Sequence, residues 1–467
     1  MKRAPLRALA SLACALAAGA CTTLAPLPAT PLAGDDCSRW FAQLDATVDT
    51  AGVRDAQDER VPGFAFVRVD RLAVATRETT PLPQWLTRAA ALDQQARDAE
   101  TANLPAGAFP IDGAADAVAA RARSTTCRNA LTQRVLQDSA LQGTLRERAH
   151  VPDRYALSLR ALGAYPLLRW PFFAGVKAWQ NEQTAAVAKW TTQPPPRTRF
   201  EPPADDPFAP VFEIESRDGN TPAPFDRFGV PTWPTRDATA PSLDTTQPVV
   251  FRRSSHTLVG GRWLRQQVYT AWFTERPAQG FFNGAFDLLS GTLDGVIVRL
   301  TLAPDGAPLM VDTIHSCGCW HQFFPAPGVA LRDGAPLQIE WVFVPATLPP
   351  HARGQRLVVR LASATHHVMS VTSASAPAGV RYTLRDENEL RALPLPGGSG
   401  SRSLYAADGL VRGTERAERF LFWPMGIANA GAMRQWGHHA TAFVGRRHFD
   451  DPNLLDSRFL LPVLPPP

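Results

Sequence analysis

The chain has 467 residues, 45% hydrophobic and 19% charged, with 48 Lys+Arg against 43 Asp+Glu and a formal net charge of +5. That composition excludes a disordered or fibrous protein, and so small a charge gives no ground for a nucleic-acid partner. The length calls for two domains.

The N-terminus "MKRAPLRALASLACALAAGAC" begins with Lys2, Arg3 and Arg7 and continues with an apolar run from Ala8 to Ala18. The run is too short to span a bilayer as a helix and reads, over residues 1–20, as a secretory signal. Its end resembles a bacterial lipobox, in which a cysteine after small residues is lipidated and becomes the mature N-terminus; Cys21 holds that place, with Ala18 where leucine is usual. Ala18-Gly19-Ala20 equally suits ordinary signal cleavage. Losing Lys2, Arg3 and Arg7 takes the charge from +5 to +2. Residues 21–35 form a Pro-rich tether. By resemblance to Gram-negative lipoproteins, Thr22 after the cysteine implies sorting to the outer membrane, facing the periplasm. The expected partner is then the lipid membrane, held through an acyl anchor at Cys21.

Residues 36–190 read as a helical domain. Ser38 is a candidate N-cap before Trp40, Phe41, Leu44 and Val48 on one stripe. Helical runs follow at 82–100, 116–141 and 151–166, and "PGFAFVRVDRLAV" at 62–74 alternates as a short strand. "YPLLRWPFFAGVKAW" at 165–179 reads as a helical hairpin packed in the core, or as a segment lying at a membrane interface, since Trp and Phe alternate with basic residues. Residues 191–247 carry too many prolines for regular helix or central strand, yet also Phe208, Phe212, Phe225, Phe228 and Trp233; the stretch reads as irregular chain wrapped on the next domain. From 248 to 467 the period becomes two. "LRQQVYTAWF", a hairpin around Pro304-Asp305-Gly306, "LQIEWVFVPA", "QRLVVRLASA" and "HHVMSVTSA" predict an antiparallel β-rich domain, a sandwich or barrel. The fold class is therefore α+β in two domains.

In an oxidising compartment cysteines pair or bind metal. Cys14 leaves with the signal. Cys37 and Cys127, both in the helical half, form the natural disulfide, which leaves Cys317 and Cys319 inside "HSCGCWH". His315, Cys317, Cys319 and His321 alternate along this stretch. Thiolates and imidazoles suit zinc or copper(I). On a straight strand the outer histidines would be about 20 Å apart, whereas zinc ligands converge within about 4 Å. Gly318 must then bend the chain, or His438, His439 and His448 from a second window must complete the set. A Cys317–Cys319 disulfide, thiol redox chemistry, and catalysis with Asp312, Asp450 or Asp451 orienting a histidine stand beside the metal reading. His366-His367 lies in a strand-like run, so one histidine faces inward and one outward, and the inward one reads as a satisfied core histidine before a ligand. Arg446 and Arg447 beside Asp450-Asp451 read as a surface ion-pair cluster before a grip on an anionic ligand.

The stretches "LDGVIVRLTLAPDGAPLMVDTIHSCGCWHQFFP" and "GHHATAFVGRRHFDDP" resemble uncharacterised proteobacterial lipoproteins over much of the C-terminal half, a resemblance that implies no activity. The sequence thus points to an exported lipoprotein with a His/Cys metal site in its β-rich domain. Its alternatives are a non-enzymatic envelope binding or scaffold protein with a Cys317–Cys319 disulfide, or a thiol-redox protein.

Overall fold

The computed structural model describes residues 32, 34–280, 287–332, 339–351, 354–374 and 379–461. The signal segment, Cys21 and most of the tether lie outside the described residues.

The first helix begins earlier than Ser38. Asp35 is extended, and its carboxylate accepts from the amides of Cys37 and Ser38, capping α1 (Asp36–Thr50). A hairpin of β1 (Glu59–Val61) and β2 (Phe64–Val69) follows, then α2 (Arg71–Thr76), α3 (Leu82–Asn103), α4 (Ala117–Gln137) and α5 (Ser139–Arg148). Trp40, Phe41, Leu44 and Val48 of α1 share one core with Phe64, Phe66, Trp85 and Leu131. The disulfide between Cys37 and Cys127 ties α1 to α4. Arg68 of β2 is wholly buried in this core, 2.7 Å from Glu100 and 3.4 Å from Asp93. Paired in this way, a charge can be kept out of water.

The reading of 151–179 as a helix plus a core hairpin is corrected. Only Leu157–Leu162 (α6) is helical in the first part, and Tyr165–Thr192 is one 28-residue helix, α7, with Pro171 inside it. Gln183 and Val187 are its buried residues. The helix lies across the β-rich half, with Trp179 4.4 Å from Trp320, Phe172 5.7 Å from Phe422 and Phe173 6.0 Å from Trp341, centroid to centroid.

The Pro-rich stretch is also more regular than its composition suggests. It holds β3 (Arg197–Glu201), β4 (Val211–Glu215), β5 (Phe228–Thr232) and β6 (Ser242–Asp244). Most of the prolines fall between these strands, so they punctuate the ladder without interrupting it. The remaining strands are β7 (Val249–Val259), β8 (Arg262–Arg276), β9 (Gly291–Leu302), β10 (Pro308–His315), β11 (Gln322–Pro325), β12 (Ala330–Leu331), β13 (Arg356–Leu361), β14 (Val368–Ala374), β15 (Val380–Arg381), β16 (Thr383–Asp386), β17 (Leu393–Pro394), β18 (Ser401–Arg402) and β19 (Phe459–Leu460), with two short helices, α8 (Arg419–Phe422) and α9 (Leu454–Arg458).

One sheet runs β11-β10-β9-β8, and the far edge of β8 is shared by β7 and β5. A second sheet runs β14-β13-β4-β3-β15. Most neighbours are antiparallel, but β13–β4, β15–β3 and β16–β7 are parallel. Among the described residues both sheets are open, with no closed barrel. Phe212, Ile214 and Val359 from the second sheet meet Tyr269, Phe273 and Val298 from the first in one core, as in a sandwich. The strand expected at 337–346 does not form over 339–346, apart from a bridge between Gln322 and Phe343. There the Glu340 amide donates to Val444 and its carboxylate lies 3.1 Å from Arg447.

The two halves meet through buried polar groups. Arg391 grips Asp55 with Nε and Nη2, each at 2.8 Å, and Gln435 adds a bond to the same carboxylate at 3.3 Å.

Candidate functional site

β10 ends at His315 and the chain then turns sharply. The Gly318 amide donates to the His315 carbonyl at 2.7 Å, and the His315 amide to the Cys319 carbonyl at 3.0 Å. Gly318 has φ +92°, and a Cβ there would stand 2.7 Å from the Ala440 carbonyl oxygen. Only glycine combines that conformation with that approach. The expected bend is thus present, and the second window lies directly against it. The Arg434 amide donates to Ser316 and its side chain to the Cys317 carbonyl.

The seven residues expected to hold a metal do not converge. His315 sits 3.6 Å from Asp294, its ring edge-on to His367. His321 is held between Asp312 and Thr441, while His438 Nε2 lies 2.6 Å from the Ala56 carbonyl in the N-terminal half. His448 is 3.1 Å from Asp153, and the buried ring of His439 faces the Ser316 backbone. Among the described residues, no three His, Cys, Asp or Glu side chains are placed to hold one metal ion. Cys317 and Cys319 are free thiols; the Cys319 amide points at Cys317 Sγ from 3.4 Å. The hydrogen bond with Cys317, together with burial, pushes the Cys319 thiol well above its ordinary range, so it is a weak nucleophile at neutral pH.

Cys317, Gly318, Cys319, Trp320 and His321 instead form one wall of a cavity of about 420 Å³. Its roof is α7, through Pro171, Phe172, Gly175, Val176 and Trp179, and its far wall is Ala440–Phe443. Small residues leave the space open: Gly175, Ala430, Gly431, Ala440 and Ala442 all border it. The lining is mainly apolar, with two carboxyls. Burial raises Glu418 to about 7 against the opposing charge of Arg416 and Arg276, and it raises Glu340 too.

Behind the wall runs a hydrogen-bonded relay. Arg299 holds Asp312 through Nε at 3.0 Å and Nη2 at 2.6 Å. Burial works against the Asp312 carboxylate, but Arg299 and His321 outweigh it and keep it ionised. An ionised carboxylate only accepts, so His321 donates to it from Nε2 at 2.9 Å, which leaves Nδ1 to accept from the Thr441 hydroxyl at 3.1 Å. Arg447 Nε donates to the same Thr441 oxygen at 3.2 Å. Burial lowers His321 to about 4, so the ring is neutral at pH 7.

A second buried cluster lies under β9. His366 is wholly buried, 2.8 Å from Asp294 and 3.3 Å from Asp226, and stacks on Phe273 with centroids 3.9 Å apart. Burial alone would lower its pKa, but the two carboxylates reverse the sign and raise it. His366 is thus the satisfied core histidine expected. Arg447 belongs to the buried relay and not to a surface cluster, whereas Arg446 pairs with Asp153. Sequence reasoning missed Glu418, Thr441 and Asp294, because no local pattern marks a residue whose role is set by partners the fold brings in, such as His321 for Thr441 and His366 for Asp294.

No known protein family, curated protein or solved structure matches the chain.

Proposed function

We propose that this chain is an exported protein, held at the cell envelope by the anchor its N-terminus spells, that binds a small apolar molecule in the cavity beneath α7. The observation that carries the reading is the cavity itself. About 420 Å³ bounded by aromatic, glycine and alanine side chains, with a few polar groups at one wall, has the size and chemistry of a small-molecule site.

The test is to fill the cavity. Gly175 lies within α7, and a Cβ there meets nothing within 4 Å, so Gly175→Phe places a ring in the space without strain and removes a poor helix former. Binding of a fluorescent apolar probe is expected to weaken by about tenfold or more, with melting temperature unchanged or raised. Undiminished binding by a folded Gly175→Phe protein would sink the reading.

A second reading is favoured by the relay. Thr441 borders the cavity and has a neutral imidazole to take its proton, oriented by an ionised carboxylate, the logic of an acyl-transfer triad. In such a step Thr441 Oγ1 adds to an ester carbonyl as its proton passes to His321 Nδ1. The leaving alcohol takes that proton, and water then hydrolyses the acyl-threonine. Turnover of chromogenic esters of graded chain length, compared between the native chain and Thr441→Val, tests it: equal rates exclude the step. The zinc or copper reading draws less support, since His321, His438 and His448 are turned to separate partners.

A further inference from the structure

The outer side of the cavity roof carries a second feature. Leu162, Leu167 and Phe420 are 79%, 75% and 70% exposed, and Trp170, Leu421 and Trp423 are exposed beside them. They come from α6, α7, α8 and the turn after α8, elements that touch one another: Gly163 packs on Pro424, and Phe172 on Phe422. Together they form one apolar ridge, not scattered surface residues, and a ridge of this kind marks a contact surface.

We propose that this ridge docks on the surface of a lipid bilayer, and that the cavity beside it receives an acyl chain from that bilayer. Charge selects the occupant. From residue 154 to residue 181 the chain has no Asp or Glu but has Arg154, Arg160, Arg169 and Lys177. Arg154 is bound to Glu59, and Arg160 is buried against backbone carbonyls. Arg169 and Lys177 remain, with Arg419 on α8. Each lies against an aromatic ring: Arg169 is 4.8 Å from Trp170, Arg419 4.8 Å from Phe420 and Lys177 5.3 Å from Trp341.

Tryptophan, leucine and phenylalanine pointing outward, with cations set at their rings, match the boundary between acyl chains and anionic headgroups. A second copy is the poorer occupant, because a two-fold contact through this face would bring its own cations together. The ridge and the cavity are continuous: Trp170 lies on the ridge, while Pro171 and Phe172, next in sequence, line the cavity. Docking rests on the ridge alone. The identity of the ligand as an acyl chain rests on the binding function proposed above.

The test uses residues 21–467 carrying Cys21→Ser, so that neither the signal nor an added acyl group contributes, floated with vesicles of zwitterionic lipid containing or lacking anionic lipid. Flotation is expected with the anionic vesicles. It should fall about tenfold or more in Leu162→Ser/Leu167→Ser/Phe420→Ser, and its dependence on anionic lipid should disappear in Arg169→Gln/Lys177→Gln/Arg419→Gln. Leu162, Leu167, Phe420 and Lys177 are exposed and Arg169 and Arg419 half-buried, so folding of each variant is checked by an unchanged melting temperature. Binding of a fluorescent fatty acid without vesicles should be the same in both triple variants, which separates docking from cavity binding. Equal flotation of native and serine-substituted chains would overturn the docking. So would a dimer in light scattering that the serine substitutions dissolve, since the occupant would then be a second copy. If docking holds but acyl chains do not compete for the probe in the cavity, the ligand assignment falls and the ridge stands.

Discussion

His321 Nε2 lies 2.9 Å from Asp312 Oδ2, and neither side chain touches solvent. The two are nine positions apart, Asp312 within β10 and His321 immediately before β11, and the tight turn through Gly318 brings them together. Because Arg299 holds the other side of Asp312, the carboxylate is the hub of the relay. Asp312→Asn keeps the shape but removes the charge that Arg299 needs, and a loss of about 3–5 kcal/mol in unfolding free energy is expected in denaturant titration. Thr441→Val removes only a hydroxyl shared by His321 and Arg447, and should cost about 1–3 kcal/mol. Should Asp312→Asn prove as mild as Thr441→Val, the hub would be misplaced.

Gly318 should tolerate no side chain. Gly318→Ala faces a positive φ and a carbonyl oxygen 2.7 Å from the new Cβ. The turn or the segment at Ala440 must shift, which would disturb the cavity wall as well as stability. Gly306, also at positive φ but with open space around its Cβ position, serves as the control: Gly306→Ala should carry only the conformational cost, about 1 kcal/mol. Equal losses at the two sites would show that contact with Ala440 does not matter.

The contact between halves is expected to be strong and asymmetric. Asp55→Ala leaves Arg391 buried beside a vacancy and should destabilise by about 3–5 kcal/mol, whereas Asp55→Ala with Arg391→Leu should recover part of that loss. A double-mutant cycle read by urea unfolding reports the coupling. No recovery would mean that the pair acts through other groups.

Acid should weaken the fold early. Burial holds His321 and His448 at about 4, and His438 and His439 at about 3. An unfolded chain takes up these four protons near pH 6.5, so between pH 6.5 and 4 the unfolded state binds more of them and stability falls as pH falls. Glu418, raised to about 7, and Asp58, raised to about 6, act in the opposite direction, because the folded chain keeps their protons. Burial lowers His256, His315, His351 and His367 as well, while His366 and Glu340 are raised, so the groups that favour the unfolded state in acid outnumber those that oppose them; each net proton is worth about 1.4 kcal/mol per pH unit. Urea midpoints compared at pH 7 and pH 5.5 check this, and a flat profile would contradict the assignment of neutral buried histidines.

The sequence speaks clearly where structure is local and falls silent where it is not. Trp40, Phe41, Leu44 and Val48 marked α1 because one helical stripe suffices to bury them, and Pro304-Asp305-Gly306 marked the β9–β10 hairpin because the turn chemistry is written in three residues. The break at Gly318 was legible for the same reason. The strands between residues 191 and 247 were hidden by prolines, since composition averages over strands and the gaps between them. α7 was misread as a hairpin because Pro171, which ordinarily ends a helix, is carried inside one. The imidazoles were judged by their number and spacing, yet several orient to partners chosen by tertiary packing, Ala56 for His438 and Asp153 for His448, that no spacing rule can name.

The thiol pair in the cavity wall has a practical consequence. Cys319 is partly accessible, and its surroundings keep it sluggish toward alkylation. A molecule lodged beneath α7 would stand between the sulfur and any reagent arriving from that side. Labelling speed at this one position is therefore a built-in gauge of occupancy, so candidate compounds can be screened by mass spectrometry before anyone knows which of them the protein meets in the cell.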